Sequence, residues 1–535
     1  MKQILLILLA TFSFNSISAE TIEIDGIYYT LSQSDLTAEV TENPNKYKGD
    51  ITIPGVINVG EKSYKVVSIG FQAFKDSKDL TSIIISENIR IINSAAFYDC
   101  LNLNAVIFPE SINSIESVAF SGCSELKELK FPHNLTFIGN NAFSYCDKLT
   151  TIDLPENELY TIAGYEFNFC KGLTTINIPS NVTQITGFNG CTSLTSISIP
   201  KQITEFGEFA FAGCSNLSSI VVEEDNPVYD SRDNCNAVIE TASNTIIIGC
   251  KNTIFSPSIT GIGNSAFYGR SNLVSLDIPN TINSIGKDAF QECTGLKDLY
   301  LPESIISIGK NAFNGCSGLT TIMIPSSLKD ITSVFTNCTN LSSINIPDGV
   351  EIINDAFTGC SNLSSVSFTN SVKDLTYAFF ACTNLTSISI PDGITTIGGW
   401  AFSYSGLSSV ILPQSIHSIE YESFANCLDL KDFYVYAEDV PTLDSSSFRD
   451  TDIGKATLHV PSVSLELYKN ALIWKDFGSI VAISKSDPTG IYSVFDNELW
   501  PINFYSVYGI KRNEMKKGLN IIRMSDGTTK KVIIK

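Results

Sequence analysis

Fourteen cysteines are the main stock of reactive side chains in this 535-residue sequence, which has only three histidines. A cysteine can ligate a metal, attack a substrate or close a disulfide, and spacing separates these roles. Twelve of the fourteen recur at a nearly fixed interval, at positions 100, 123, 146, 170, 191, 214, 293, 316, 338, 360, 382 and 427. No C-x-x-C pair occurs, and His133, His417 and His459 are far apart. Neither a zinc cluster nor a Cys–His pair is therefore written locally into the chain. Gly261, Gly263 and Ala266 carry the letters of a dinucleotide fingerprint, but no βαβ unit surrounds them. Ser-Ile-Gly-Lys at 284–287 and 307–310 lacks the upstream glycine of a phosphate loop. Asp450, Asp452 and Gly454 begin like a calcium loop that has no closing Glu. With G-x-S-x-G and H-E-x-x-H also missing, the sequence predicts a non-catalytic protein with no cofactor or metal ligands. A net charge of −21 further argues against nucleic acid as a partner, because phosphate neutralisation needs Lys and Arg.

The cysteine interval belongs to a larger repeat. A leading Leu returns at 80, 103, 126, 149, 173, 194, 217, 273, 296, 319, 341, 363, 385, 407 and 430. All but one of the spacings lie between 21 and 24 residues, and the exception, 217 to 273, is 56. Each unit reads L-x-x-I-x-I-P-x-x-I-x-x-I-x-x-x-A-F-x-x-C. Its I-x-I step alternates with period two, as a short strand with one buried face does. One unit buries too little apolar surface to order itself, so units must stack, and the predicted fold is a mainly β solenoid.

The pattern resembles the leucine-rich repeats of BspA-like bacterial surface proteins. Ile305, Ile308, Gly309, Ala312, Phe313, Gly315 and Cys316 form a close match, and the resemblance spans about residues 47–482. It implies a leucine-rich repeat array of ~23-residue units between N- and C-terminal caps. Gly49 to Pro54 looks like the opening cap, and Val460-Pro461, Tyr468, Trp474 and Phe477 look like the closing cap. Family members are generally exported and bind partners or adhere rather than catalyse. The resemblance therefore implies a cell-surface protein whose partner is a protein of a host or neighbouring cell. The alternative is a glycan-binding surface module, for which Trp400 is the only tryptophan within the repeats.

In the repeat phase the leading Leu and the two Ile of I-x-I point inward, leaving the second and fourth residues after the Leu on the open strand face. The second is Ser or Thr in eleven of fifteen units, and these hydroxyls are expected to bond to one another. The fourth includes Tyr300, Met323 and Tyr434, which are the candidate binding residues on that face. The long spacing contains about 33 extra residues, expected as a strand–turn–strand insert over about 223–250. Such inserts protrude and carry recognition, or brace the stack. Tyr229 and Arg232 are its candidate binding residues. With a four-residue turn at 241–244, residue 235 faces 250, so a Cys235–Cys250 disulfide is expected. The stacked cysteines, by contrast, point in parallel and read as small buried hydrophobes.

At the N-terminus, Lys2, the apolar run Ile4 to Ala10 and the small residues before Glu20 match a signal peptide over 1–19. No cysteine lies near its end, so a secreted or surface location without lipidation is expected, and no apolar run suits a transmembrane helix. The expected layout is an N-terminal cap with its first repeat over 20–79, the solenoid over 80–482 with its exit cap at 436–482, and a small C-terminal β module over 489–535. From 508 onward there are eight Lys/Arg and two Asp/Glu, so this end is +6 against −27 for the rest. It looks like a sorting module of the type IX secretion route, though shorter than a full one, and the alternative is a plain β appendage to the solenoid.

Overall fold

The computed structural model describes residues 21–156, 164–484 and 487, together with four strands between 501 and 534. The expected signal peptide lies outside the described residues. The chain divides into two compact units, Met1–Leu194 with Glu205–Ala210, and Thr195–Thr204 with Phe211–Lys535.

Unit one opens with an antiparallel ribbon of Thr21–Ile24, Ile27–Ser32 and Thr37–Val40. The solenoid then begins at Lys48–Ile53, which runs parallel to Asp79–Ile85, and that strand in turn to Ala105–Ile107. Glu128–Lys130, Thr151–Asp153 and Thr175–Asn177 continue in the same sense, with Leu129, Ile152 and Ile176 side by side. These are the I-x-I strands in the phase read from sequence.

The coils are joined at two further places. Ile91–Ile92, Ser114–Ile115 and Phe137–Ile138 form a second short parallel ladder from the I-x-x-I segment. The Ala-Phe turn is a third, in which Phe97 N–H donates to Ala119 O at 2.7 Å and Phe120 N–H to Ala142 O at 2.7 Å. Three ladders per coil satisfy backbone groups that one coil would leave bare. Inside, the phenyl rings of Phe74, Phe97, Phe120, Phe143, Phe167 and Phe188 stack with centroids 4.7–5.7 Å apart. Each of these phenylalanines is essentially unexposed, which is why Phe holds this slot.

Unit two repeats the plan. Its strand face runs through Ser275–Leu276, Asp298–Leu299 and Thr321–Ile322, and later through Ser387–Ser389, Ser409–Leu412, Asp432–Val435, Thr457–Val460 and Ser479–Ala482. A second phenylalanine stack runs from Phe267 to Phe448. The end of this core is closed by Tyr468 on the short helix Leu465–Asn470 and by Trp474. The Tyr468 hydroxyl donates to Ala437 O at 2.9 Å and the Trp474 indole to Pro441 O at 2.9 Å.

The insert does not protrude as a free hairpin. Val238–Glu240 and Thr245–Ile248 pair antiparallel, and Thr245–Ile248 then runs parallel to Gly261–Ile262, supplying a rung of the second ladder. Ala237, Ile239 and Ile246 enter the common core. The insert is thus a brace. Around it the coils still meet directly, since Gly213 N–H donates to Tyr268 O at 2.8 Å. A β-carbon on Gly269, at φ +67°, would come within 2.6 Å of Gly213 Cα, so only glycine fits there.

Beyond the solenoid, Lys511–Arg512, Pro501–Ser506, Gly518–Met524 and Thr529–Ile534 form an antiparallel sheet in that spatial order. The alternation of the sequence reads as three short strands, near 502–509, 517–522 and 531–535, and the sheet adds Lys511–Arg512.

Candidate binding surfaces

The open strand face follows from alternation within each rung. Leu129 is buried while Glu128 and Lys130 beside it are exposed, and Ile322 is buried between exposed Thr321 and Met323. Tyr300 and Met323 sit on adjacent rungs, because Asp298 pairs with Thr321 and Leu299 with Ile322. Tyr300 is half-buried and Met323 is 44% exposed, so these two form a small apolar step on the face. The hydroxyls that join coils lie one residue earlier than expected. Ser218 Oγ donates to Thr195 O at 3.0 Å and Ser408 Oγ to Thr386 O at 3.0 Å, each reaching the preceding coil's carbonyl.

Tyr434 occupies the same phase as Tyr300 but is buried. Its ring stacks on His459 of the next rung at 4.1 Å, and His459 Nε2 contacts Asp432 Oδ1 at 3.1 Å. Tyr434 is therefore withdrawn from the exposed face, a neighbour effect that phase alone does not carry. Tyr229 is buried too, with its hydroxyl donating to Thr204 O at 3.3 Å. Arg232 is spent within the insert. Its Nε donates to both oxygens of Asp230 at 2.9 and 3.0 Å, and its Nη1 to Asn244 Oδ1 at 2.9 Å. These contacts hold the insert's loop closed and leave little of the guanidinium for a partner.

Cys235 and Cys250 are free thiols. A register shift between Val238 and Ile239 pairs Val238 with Ile248, so the strand slips by one and 250 no longer faces 235. Cys250 Sγ–H donates to Asn236 O at 3.2 Å instead. The repeat cysteines are buried, as their phase predicts, and each also makes a polar contact. Cys123 Sγ–H donates to Phe97 O at 3.2 Å, Cys316 to Phe290 O at 3.1 Å and Cys382 to Phe357 O at 3.3 Å, always to the Phe of the preceding coil. Burial pushes the thiols of Cys170, Cys293 and Cys360 up to about 12, which keeps them protonated as donors. Arg270 takes this slot in the coil that carries the insert. Fully buried, it donates from Nη1 to Phe211 O at 2.6 Å, as a cysteine would, and from Nε to Gly249 O of the insert at 3.0 Å.

One surface has no counterpart in the strand-phase argument. Most Ala-Phe turns use two left-handed residues, one just before the Ala and one just before the Cys slot. In unit two these slots hold mostly Gly, Asn, Asp and Ser, for example Asp355, Asn311, Gly315 and Gly359. At three of them stand Tyr377 (φ 57°), Trp400 (φ 61°) and Tyr404 (φ 58°), bulky residues in a conformation they rarely adopt. Tyr377 and Trp400 lie parallel with centroids 6.0 Å apart, and Phe380 meets Trp400 and Tyr404 edge-on at 5.8 and 5.6 Å. Tyr377, Tyr404 and Tyr421 are 38%, 49% and 45% exposed. The ring of Tyr421 passes over Gly399, where a β-carbon would come within 2.4 Å of it. Unit one has a smaller group in the same slots, Tyr145 stacked on Phe169 at 4.8 Å with Tyr165 exposed. The available signal was an aromatic residue in a slot that most often holds Gly, Asn, Asp or Ser.

Among the described residues no group of three or more His, Cys, Asp or Glu converges on a point, and no helix is long and apolar enough to cross a membrane. The sequence model of a family described as "BspA type Leucine rich repeat region (6 copies)" matches residues 67–187, 137–259, 260–377 and 350–471. Among solved structures, a leucine rich cell surface protein from Faecalibacterium prausnitzii A2-165 is 28% identical, with a TM-score of 0.52 over 78% of this chain and 94% of that one. A leucine-rich repeat protein from Bacteroides ovatus ATCC 8483 is 24% identical, with a TM-score of 0.44 over 86% of this chain and 100% of that one. The pneumococcal vaccine antigen PcpA is 20% identical, with a TM-score of 0.40 over 87% of this chain and 99% of that one. No curated protein matches the chain.

Proposed function

Because the chain belongs to the BspA-type leucine-rich repeat family, we propose that it is an exported cell-surface protein that binds a macromolecular partner, a protein, without catalysing a reaction. The observation that carries this reading is the open strand face, on which Met323 is 44% exposed beside half-buried Tyr300 of the adjacent rung. Large apolar side chains held on a regular open sheet are what a partner can desolvate. The surface location rests on the likeness to the Faecalibacterium cell surface protein and on the signal peptide expected at 1–19. In this layout residues 20–79 are the N-terminal cap with its first repeat, 436–482 the exit cap, and 489–535 a basic module that serves as a sorting element or a plain appendage.

The test is an array of surface proteins and glycans probed with the full chain and with the double variant Tyr300→Ala, Met323→Ser. Protein binding that the double variant loses supports the reading. Binding restricted to glycans would replace it with the glycan-module alternative, and an array without any ligand would oppose both.

A further inference from the structure

The aromatic group of Tyr377, Phe380, Trp400, Tyr404 and Tyr421 spans three successive coils of unit two. Three of its members occupy left-handed slots that hold mostly Gly, Asn, Asp or Ser in unit two, so local backbone preference opposes them. Burial does not account for their presence, because Tyr377, Tyr404 and Tyr421 remain 38–49% exposed. Among the described residues, the Trp400 indole N–H and the three tyrosine hydroxyls have no hydrogen-bond partner within the chain. Bulky rings held against local preference, exposed and with idle polar tips, mark a surface kept for contact with something else.

The charge around the rings selects the partner. Asp355 and Glu422 lie near the Tyr377 hydroxyl, Glu420 accepts from Gly399 N–H at 3.1 Å under the Tyr421 ring, and the one lysine between positions 355 and 422 is Lys373. Lys373 is already engaged by Glu351 at 2.5 Å. At the border of the group, Glu422 holds Arg449 of the following coil in an ion pair, so the chain itself seats one guanidinium there. Exposed ring faces with carboxylates beside them attract planar cations, arginine above all.

We propose that this shelf is a docking site for an arginine-bearing polypeptide segment, whose guanidinium groups stack on the rings and pair with the neighbouring carboxylates. The proposal rests on the protein-binding reading above and gives that reading a surface and a partner chemistry distinct from the strand face.

The experiment measures the affinity of the full chain for a fluorescent octa-arginine peptide and for cellohexaose, at about 0.15 M salt, where unspecific surface attraction is largely screened. It compares wild type with Tyr377→Asn, Trp400→Asn, Tyr404→Asn, singly and combined. These changes leave the net charge untouched, so general attraction to an acidic protein is the same in every sample. Asparagine also suits the left-handed slots, as at Asn311 and Asn426. The expected result is peptide binding that weakens about tenfold or more in the triple variant, with Tyr404→Asn melting at or above the wild-type temperature. Equal peptide affinity in wild type and triple variant would overturn the proposal, as would ring-dependent binding of cellohexaose instead. A Tyr404→Asn protein that melts well below wild type would assign the rings to the fold and also overturn it. The Tyr300, Met323 variant serves as the internal reference. If it loses partner binding on the array while the triple variant keeps it, the shelf fails and the general reading stands.

Discussion

Replacing Arg270 by Met should destabilise unit two, although it removes a buried charge. The guanidinium is 1% exposed, and among the described residues it has no carboxylate partner. Burial lowers its pKa, yet an arginine so placed still carries its proton. Its acceptors are backbone carbonyls: Phe211 O at 2.6 Å, Gly249 O at 3.0 Å and, more weakly, Tyr268 O at 3.4 Å. Methionine matches the length and keeps most of the packing, but it donates nothing. The two short bonds, each worth about 1.5–3 kcal/mol when the donor is charged, put the loss at about 3–6 kcal/mol. Arg270→Cys should fall between the two, since a thiol can still reach the Phe211 carbonyl but leaves Gly249 without a donor. The assay is urea unfolding followed by circular dichroism, with hydrogen exchange read at Gly213 and Gly249, whose amides bond to Tyr268 and Ala266 across the same junction. In a stacked array, local weakening shows first as local opening. A midpoint that stays or rises in Arg270→Met would mean that desolvating the guanidinium outweighs its bonds, and the brace argument would fail.

Other consequences can be checked with less effort. Phe313→Ala should cost about 3–5 kcal/mol, because the ring is fully buried between Phe290 and Phe335 at 5.2 and 5.5 Å, and a melting curve equal to wild type would contradict its place in the stack. The thiols of Cys170, Cys293 and Cys360, raised from 9.0 to about 12, should make the fold sensitive to alkali. The unfolded chain releases these protons first, so stability is intact below about pH 9 and falls from there toward pH 12, by up to about 1.4 kcal/mol per unit for each thiol. A flat stability profile across that window would count against it. The same burial predicts that iodoacetamide at pH 8 modifies the repeat cysteines only after denaturant is added, which mass spectrometry of the intact chain would report. Cys316→Ser, which retains a donor toward Phe290 O, should be less harmful than Cys316→Ala by about 1 kcal/mol in chemical unfolding.

The coil and its phase were legible because burial imposes them on every unit. Leu, I-x-I, Ala-Phe and the Cys slot all face inward, and they return together every 21–24 residues. The second ladder was hidden, since a rung two residues long, such as Ser114–Ile115, has no alternation to read. The binding residues were legible only where the strand phase decides exposure. Met323 follows it, whereas Tyr434 has the right phase but meets His459. The Cys235–Cys250 register failed on a single bulge, which no composition signals. Tyr377, Trp400 and Tyr404 escaped because they sit in turns, where conformation rather than periodicity assigns a role.

The sulfur ladder has a consequence for how the molecule comes of age. With every cysteine buried and unbridged, and the repeat thiols such as Cys123, Cys316 and Cys382 donating to carbonyls, the fold asks for no thiol oxidase or disulfide isomerase. Its maturation is indifferent to oxygen, and the same finished object forms in anoxic and in aerated surroundings.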